Sequence, residues 1–293
     1  MNIINNNQND NDNDNISCVV ENGYNSCYLD SLLICLFYKE NNNITFMLEH
    51  IPKKPEGYYL QELIRNKFIN PIQRNYSISS NIINEIRNYS VICGWSPEGD
   101  IVNQKDCREY LKFLLNTFNI PQLQIEIFEI KNNIISLNTQ ILKIPYITLN
   151  ITKDDSIRNL LQHWINSKIY SPDDNIIYCY KLIEIPQFVI LNINRFEEGM
   201  RLEYKIDIMK RIKFFEINDQ TQCYIKWKIH GIICHVGDTP TTGHYYSVLF
   251  FDRLWYIFDD TLIPSFKYID LEDDDIKEKI MKDVLLIVYV LDT

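Results

Sequence analysis

The run Glu21–Tyr38 reads ENGYNSCYLDSLLICLFY, and the role given to its cysteine decides how the rest of the chain is read. Asn22-Gly23 is a turn dipeptide. Asn25 or Ser26 then offers a cap, after which Leu29, Leu32, Leu33, Leu36 and Phe37 recur at helical spacing. Cys27 therefore falls at a helix N-terminus, where the positive end of the helix favours a thiolate. The competing reading is a small buried side chain. None of the other seven cysteines has so clear a placement. Cys35 lies further along the same helix, Cys107 lies inside a later one, and Cys179, Cys223 and Cys234 lie in or near strand patterns.

Composition narrows the setting. Of 293 residues, 46% are hydrophobic, enough for a sizeable core. The formal net charge of -10 argues against a nucleic-acid binder, whose footprint is a basic face, and suits a basic partner surface. The opening MNIINNNQNDNDNDN has neither a basic nor an apolar segment of the signal-peptide kind, and no run of about 18 apolar residues suggests a membrane span. Cytoplasm or nucleus is the expected setting, with thiols rather than disulfides. No C-x-x-C pair is present, so no zinc site or other cofactor is expected. Residues 1–15 are too polar to offset ordering entropy and read as a disordered tail, leaving one domain over 16–293.

Helical patterns occupy the first half: 27–38, 59–68, 78–89 and 103–118, the last with an apolar stripe of Tyr110, Leu111, Leu114, Leu115 and Phe118. After Pro121 come short β-rich segments, a helix in SIRNLLQHWINSKI, and then the strands QFVILNINRF, QCYIKWKIHGIICHV, YYSVLFF, LWYIF and DVLLIVYVL. The acidic DLEDDDIKEKIMK reads as an exposed helix. Helices first and an antiparallel-looking sheet afterwards make an α+β fold.

A nucleophilic cysteine needs a base, a group to orient the base, and donors for an oxyanion. Five histidines compete for the base. His244 follows Gly243 where a loop enters a strand, whereas His230 and His235 lie inside strand runs and read as structural. The next hairpin selects the acid. If residues 251 and 254 close the loop, paired positions sum to 505 and His244 falls opposite Thr261. Asp259 is then its diagonal neighbour on the same face, and Asp260 points away. A three-residue loop would reverse that choice.

These residues resemble the ubiquitin-specific proteases, papain-like cysteine peptidases. NGYNSCYLDSLL is similar to their cysteine box, and NQKDCREYLKFLL, IPQFVILNINRF and YIKWKIHGIICHVGDTPTTGHYYSVLFFDRLWYIFDD resemble three further segments in the same order. In Tyr24 and NSCYLDS the box is most similar to the cylindromatosis-type deubiquitinase branch, although that branch lacks the asparagine matched by Asn22. The resemblance implies a helical thumb and an antiparallel-sheet palm, with Cys27 as nucleophile, His244 as base and Asp259 as orienting acid. It further implies Asn22 as oxyanion donor, Asp260 as a supporting acid, and Gln104 and Asp106 as residues lining a channel for the ubiquitin tail. Turn punctuation and helix capping are the plainer readings of Asn22 and Asp106. The implied partner is ubiquitin or a ubiquitinated protein, bound by a monomer; a ubiquitin-like modifier, or binding without catalysis, is the alternative. Two positions depart from the usual box: Tyr24 stands in place of glycine and Asp30 in place of asparagine. The zinc-bearing cysteine pairs are missing, so the fingers over 121–185 are expected to be reduced and metal-free. The loop His235–Gly243 is expected to act as a mobile gate.

Overall fold

A computed structural model describes residues 16–131, 134–135, 140–165, 169–171, 176–215 and 224–292; the expected tail 1–15 lies outside them. The helix Cys27–Phe37 is buried at every position. An apolar helix without a polar face belongs inside a core rather than on a surface. Around it lie Pro55–Leu63, continuing through a π-helical stretch Ile64–Ile69 into Asn70–Gln73, then Ser80–Ile92 and Cys107–Thr117. The last of these starts four residues later than its pattern suggests, because Asp106 caps it by accepting a hydrogen bond from the Arg108 N–H.

The helices cover one face of an eight-stranded sheet. Its order is Phe266–Ile269, Leu254–Phe258, Thr242–Phe251, Tyr224–Thr239, Val284–Leu291, Phe188–Asn194 and Ile147–Asn150, with Arg211–Phe215 paired to Tyr224–Thr239 off this path. All neighbours are antiparallel except Ile147–Asn150, which runs parallel to Phe188–Asn194. The expected antiparallel palm thus carries one parallel pair at its edge.

Strand period two divides the sheet cleanly. Ile190, Tyr245, Leu249, Val288 and Val290 join the core under the helices. Val189, Leu191, Tyr246, Val248, Ile287 and Tyr289 join a second core behind the sheet, closed by Ile157–Ile165 and Asp274–Asp283. Val284–Leu291 is apolar throughout because both its faces are covered. Arg195, at the end of the Phe188–Asn194 strand, is buried and donates to the carbonyls of Val284, Met281, Leu202 and Tyr204. That single side chain ties the strand, the acidic helix and the 202–204 segment together.

A separate sheet is built from Leu123–Lys131, Gln140–Ile144 and Ile176–Leu182, with Ile134–Ile135 and Ile169–Ser171 at its borders. It occupies the segment expected to form reduced fingers. Cys179 is the only cysteine between 121 and 185, against the four ligands a structural zinc takes. Among the described residues no helix is long and apolar enough to cross a membrane.

Candidate active site

Residues from both ends of the chain meet at the start of the Cys27 helix. The segment Cys18–Val20 is stitched to the far end of the chain: Val20 N–H donates to Ser265 Oγ at 2.8 Å and Ser265 N–H donates to Cys18 O at 3.1 Å. On its other side, Glu21 N–H donates to Ile78 O at 3.0 Å. These bonds carry Asn22 to Asp260, and Asn22 Nδ2 donates to Asp260 Oδ2 at 2.6 Å.

The turn before the cysteine differs from its sequence reading. Asn22-Gly23 is not where the chain reverses. Gly23 is required by packing, since a Cβ there would meet Ile83 Cγ2 at 2.8 Å. The left-handed residues are Tyr24 (φ 61°) and Asn25 (φ 52°). Ser26 precedes the helix without capping it through its side chain. Its hydroxyl accepts from Gly23 N–H and donates to Asp30 Oδ2. Arg87, buried on the Ser80–Ile92 helix, closes the turn by donating to Tyr24 O at 2.7 Å. A tyrosine in the left-handed region costs about 1–2 kcal/mol, and the Tyr24 side chain is exposed. Tyr24→Gly is therefore expected to raise stability by up to about 1 kcal/mol after the greater freedom of the unfolded glycine is counted, seen as a Tm about 2 °C higher. A lower Tm would show that the exposed ring contributes contacts of its own.

The hairpin register is the one that the count of 505 requires: Phe250 pairs with Trp255, Val248 with Ile257 and Ser247 with Phe258. The loop is two residues long, with Asp252 (φ 51°) and Arg253 (φ 67°) both left-handed, as a mirror-image turn demands. Past the last pair, Asp259 turns onto His244. The His244 Nε2···Asp259 Oδ1 distance is 2.9 Å. The same oxygen accepts from Thr261 N–H and Thr261 Oγ. Cys27 is the other group that favours charge on His244, so thiol and carboxylate both act on the imidazole. Burial opposes charge on His244, but Asp259 and then Cys27 outweigh it and raise its pKa to about 10. Burial likewise opposes charge on Asp259, and the hydrogen bonds from His244 and Thr261 outweigh it, holding the carboxyl below its usual range. Asp260 presents Oδ1 at 3.9 Å from the same Nε2 and has a fully buried side chain.

Three of the four competing histidines have hydrogen-bond partners elsewhere. His50, His230 and His235 face the carbonyls of Phe118, Leu36 and Thr242. Burial pushes both His230 and His235 down to about 4. Asp106 takes the capping role and also forms a two-pronged pair with Arg108, at 2.6 Å to Nη2 and 2.9 Å to Nε. Gln104 is buried with its Nε2 unpartnered, a donor left for a ligand carbonyl. Arg87 and Arg108 carry no motif that marks them in the sequence.

The expected mobile gate is a paired hairpin instead. Val236 pairs with His244 and Thr239 with Thr242 around a bulge. At Gly237 and Gly243 the strands approach so closely that a Cβ would lie 2.2 Å from Thr242 O or 2.0 Å from Val236 O. Arg201 pins the turn by donating to the carbonyls of His235 and Gly237.

Among the described residues, His244, Asp259 and Asp260 are the group close enough to share a cation, with ligand atoms within 4.8 Å. Their hydrogen bonds to one another, to Thr261 and to Asn22 account for that closeness. The arrangement suits proton transfer and nucleophilic attack on a carbonyl.

The sequence of residues 18–284 matches the ubiquitin carboxyl-terminal hydrolase family. The chain is 23% identical over 212 residues to ubiquitin carboxyl-terminal hydrolase 9 of Saccharomyces cerevisiae, covering 56% of this chain and 28% of that protein. It is 25% identical over 221 residues to ubiquitin carboxyl-terminal hydrolase CYLD of Homo sapiens, covering 70% of this chain and 21% of that one. It thus spans about a quarter of the length of these relatives. Its fold is similar to the solved Ubp8/Sgf11/Sus1/Sgf73 module bound to ubiquitin aldehyde, with TM-score 0.69 and 15% identity over 94% of this chain and 70% of that one. The α+β fold is therefore that of the papain-like ubiquitin-specific proteases, and the chain belongs to the ubiquitin carboxyl-terminal hydrolase family.

Proposed function

We propose that the chain is a cysteine-type deubiquitinase, hydrolysing the thioester, ester or isopeptide bond at the C-terminal glycine of ubiquitin. One observation carries the reading: the His244 imidazole lies 2.9 Å from Asp259, and Cys27, the first residue of a buried helix, is the other group that favours its charge. A binding module has no need of that set.

In this reading His244 takes the Cys27 thiol proton and the sulfur attacks the glycine carbonyl carbon. The developing oxyanion has two donors within the chain. The first N–H groups of a helix have no intrahelical acceptor, so the Cys27 N–H is open. Asn22 Nδ2 spends one N–H on Asp260 and keeps the second. One such donor is typically worth about 3–4 kcal/mol. His244, held by Asp259, protonates the leaving amine as the C–N bond breaks and the thioester forms. Water then attacks the thioester, giving its proton to His244 and releasing Cys27. The buried, unpartnered Gln104 Nε2 supports a role in meeting a carbonyl of the tail.

The test is capture of ubiquitin bearing a C-terminal thiol-reactive group. The expected product is one ubiquitin per chain, with the linkage mapped to Cys27 by mass spectrometry. Binding without an adduct would favour a catalytically silent ubiquitin binder. Capture of a ubiquitin-like modifier in preference to ubiquitin would reassign the substrate.

A further inference from the structure

Beneath the start of the Cys27 helix lies a carboxyl pair that neither nucleophile nor base accounts for. Asp30 is wholly buried, and so is the Asp260 side chain. Each spends one oxygen on a donor: Asp30 Oδ2 accepts from Ser26 Oγ at 2.6 Å, and Asp260 Oδ2 accepts from Asn22 Nδ2 at 2.6 Å. The other two oxygens, Oδ1 of each, are buried with no donor. The two carboxyls are neighbours that act on each other's ionisation, and neither stranded oxygen has another partner. Two neighbouring carboxylates buried this fully do not both ionise. A single proton between them satisfies both stranded oxygens.

The surroundings decide where that proton sits. Burial, and then the charge of Asp260, push the Asp30 carboxyl well above its usual range. Ser26, Arg87, Tyr28 and Tyr110 face Asp30, and Arg87 is the one cation among them. Asp260 is also raised by burial, but His244, Asn22 and the Asp30 hydrogen bond oppose that rise, with Asp259 the remaining charge nearby. The proton therefore belongs to Asp30 and the charge to Asp260.

We propose that Asp30 is a positioning residue: its carboxyl donates a hydrogen bond to Asp260, and Asp260 in turn fixes the Asn22 amide at the reacting carbonyl. The chain Asp30–Asp260–Asn22 joins a side chain one helical turn after the cysteine to one five residues before it. The role of Asn22 in this proposal rests on the deubiquitinase reading; the hydrogen bond itself does not. Asp30 has no exposed surface with which to touch ubiquitin, so its influence falls on kcat rather than KM.

The experiment compares the wild type with Asp30→Asn and Asp30→Ala, using ubiquitin with a C-terminal fluorogenic amide. Asp30→Asn keeps an N–H donor of the same reach and is expected to retain kcat within about threefold. Asp30→Ala is expected to lower kcat about tenfold at unchanged KM, less than the roughly hundredfold that losing an oxyanion donor costs. Equal kcat for Asp30→Ala and wild type would overturn the proposal. So would an Asp30→Asn variant that is folded, by its circular dichroism and Tm, yet as slow as Asp30→Ala. Infrared spectroscopy reads the proton without any turnover. At neutral pH the wild type is expected to show a protonated carboxylic C=O band that shifts in deuterium oxide and is missing from Asp30→Asn. Its absence from the wild type would also overturn the proposal. A wild type that shows the band but neither turns over the amide nor is captured by the thiol-reactive ubiquitin would defeat the deubiquitinase reading alone.

Discussion

Cys27→Ala is expected to lower kcat by about 10⁶, the scale on which loss of a nucleophile is felt, while ubiquitin affinity stays within a few-fold. The three described thiols Cys18, Cys35 and Cys107 do not stand in for it. Cys35 and Cys107 are fully buried and burial pushes both well above the ordinary thiol range. Cys18, raised to about 11 mainly by burial, accompanies Val20 to the Ser265 side of the site and has no histidine partner. Cys27 is the cysteine that acts on His244, and only 3% of its surface is exposed. Single-turnover cleavage and calorimetric binding of ubiquitin check the two halves of this expectation. Residual covalent capture by the alanine variant would place the reactive thiol elsewhere.

Asp259→Asn is expected to reduce kcat by about 10³–10⁴ with little change in KM, because the amide favours the wrong imidazole tautomer and cannot stabilise the imidazolium. The pH dependence follows from the same contacts. Asp259 is the foremost of the two partners that raise His244 to about 10 against its burial. Without it, the alkaline limb of kcat/KM moves to lower pH. Stability shifts in a defined window. A histidine raised in the folded state contributes stability that is complete below its ordinary value of 6.5 and lost as pH rises towards about 10. A carboxyl held below its ordinary 3.8 contributes above that value and loses its contribution as pH falls further. The Tm difference between wild type and Asp259→Asn should thus be greatest between about pH 4 and pH 6.5 and shrink above that range. A difference that grows towards pH 10 would contradict this account of the pair.

Much of this arrangement is legible in the residue order because it depends on short-range periodicity. Two strands closed by a two-residue turn leave one register for each choice of loop, and counting back from Asp252-Arg253 reaches Asp259. The Cys27 helix announces itself through Leu29, Leu32, Leu33 and Leu36, although the pattern does not reveal that its remaining face is buried as well. What stays hidden depends on distance across the fold. Asp30 and Asp260 are separated by most of the chain, and nothing near either marks it as a partner of the other. Ser26 reads as a cap, yet its hydroxyl goes to Gly23 and Asp30. Tyr24 shows no sign of a left-handed backbone until Arg87 is seen holding its carbonyl. Strand direction is hidden too: ITLN alternates equally well in a parallel or an antiparallel pair, and it pairs parallel to Phe188–Asn194.

The two-residue turn at Asp252-Arg253 has a consequence for chain length. His244 and Asp259 stand on opposite arms of one hairpin, so their meeting depends on parity. Removing one residue from the turn while the pairing re-forms would bring Asp260 round to the imidazole, exchanging one carboxylate for another and leaving Asn22 without its acceptor. Adding one would bring Phe258 round instead and leave the imidazole with no acid. The hairpin is thus an unforgiving place for a change of one residue, and the doubled aspartate cushions the error in only one direction.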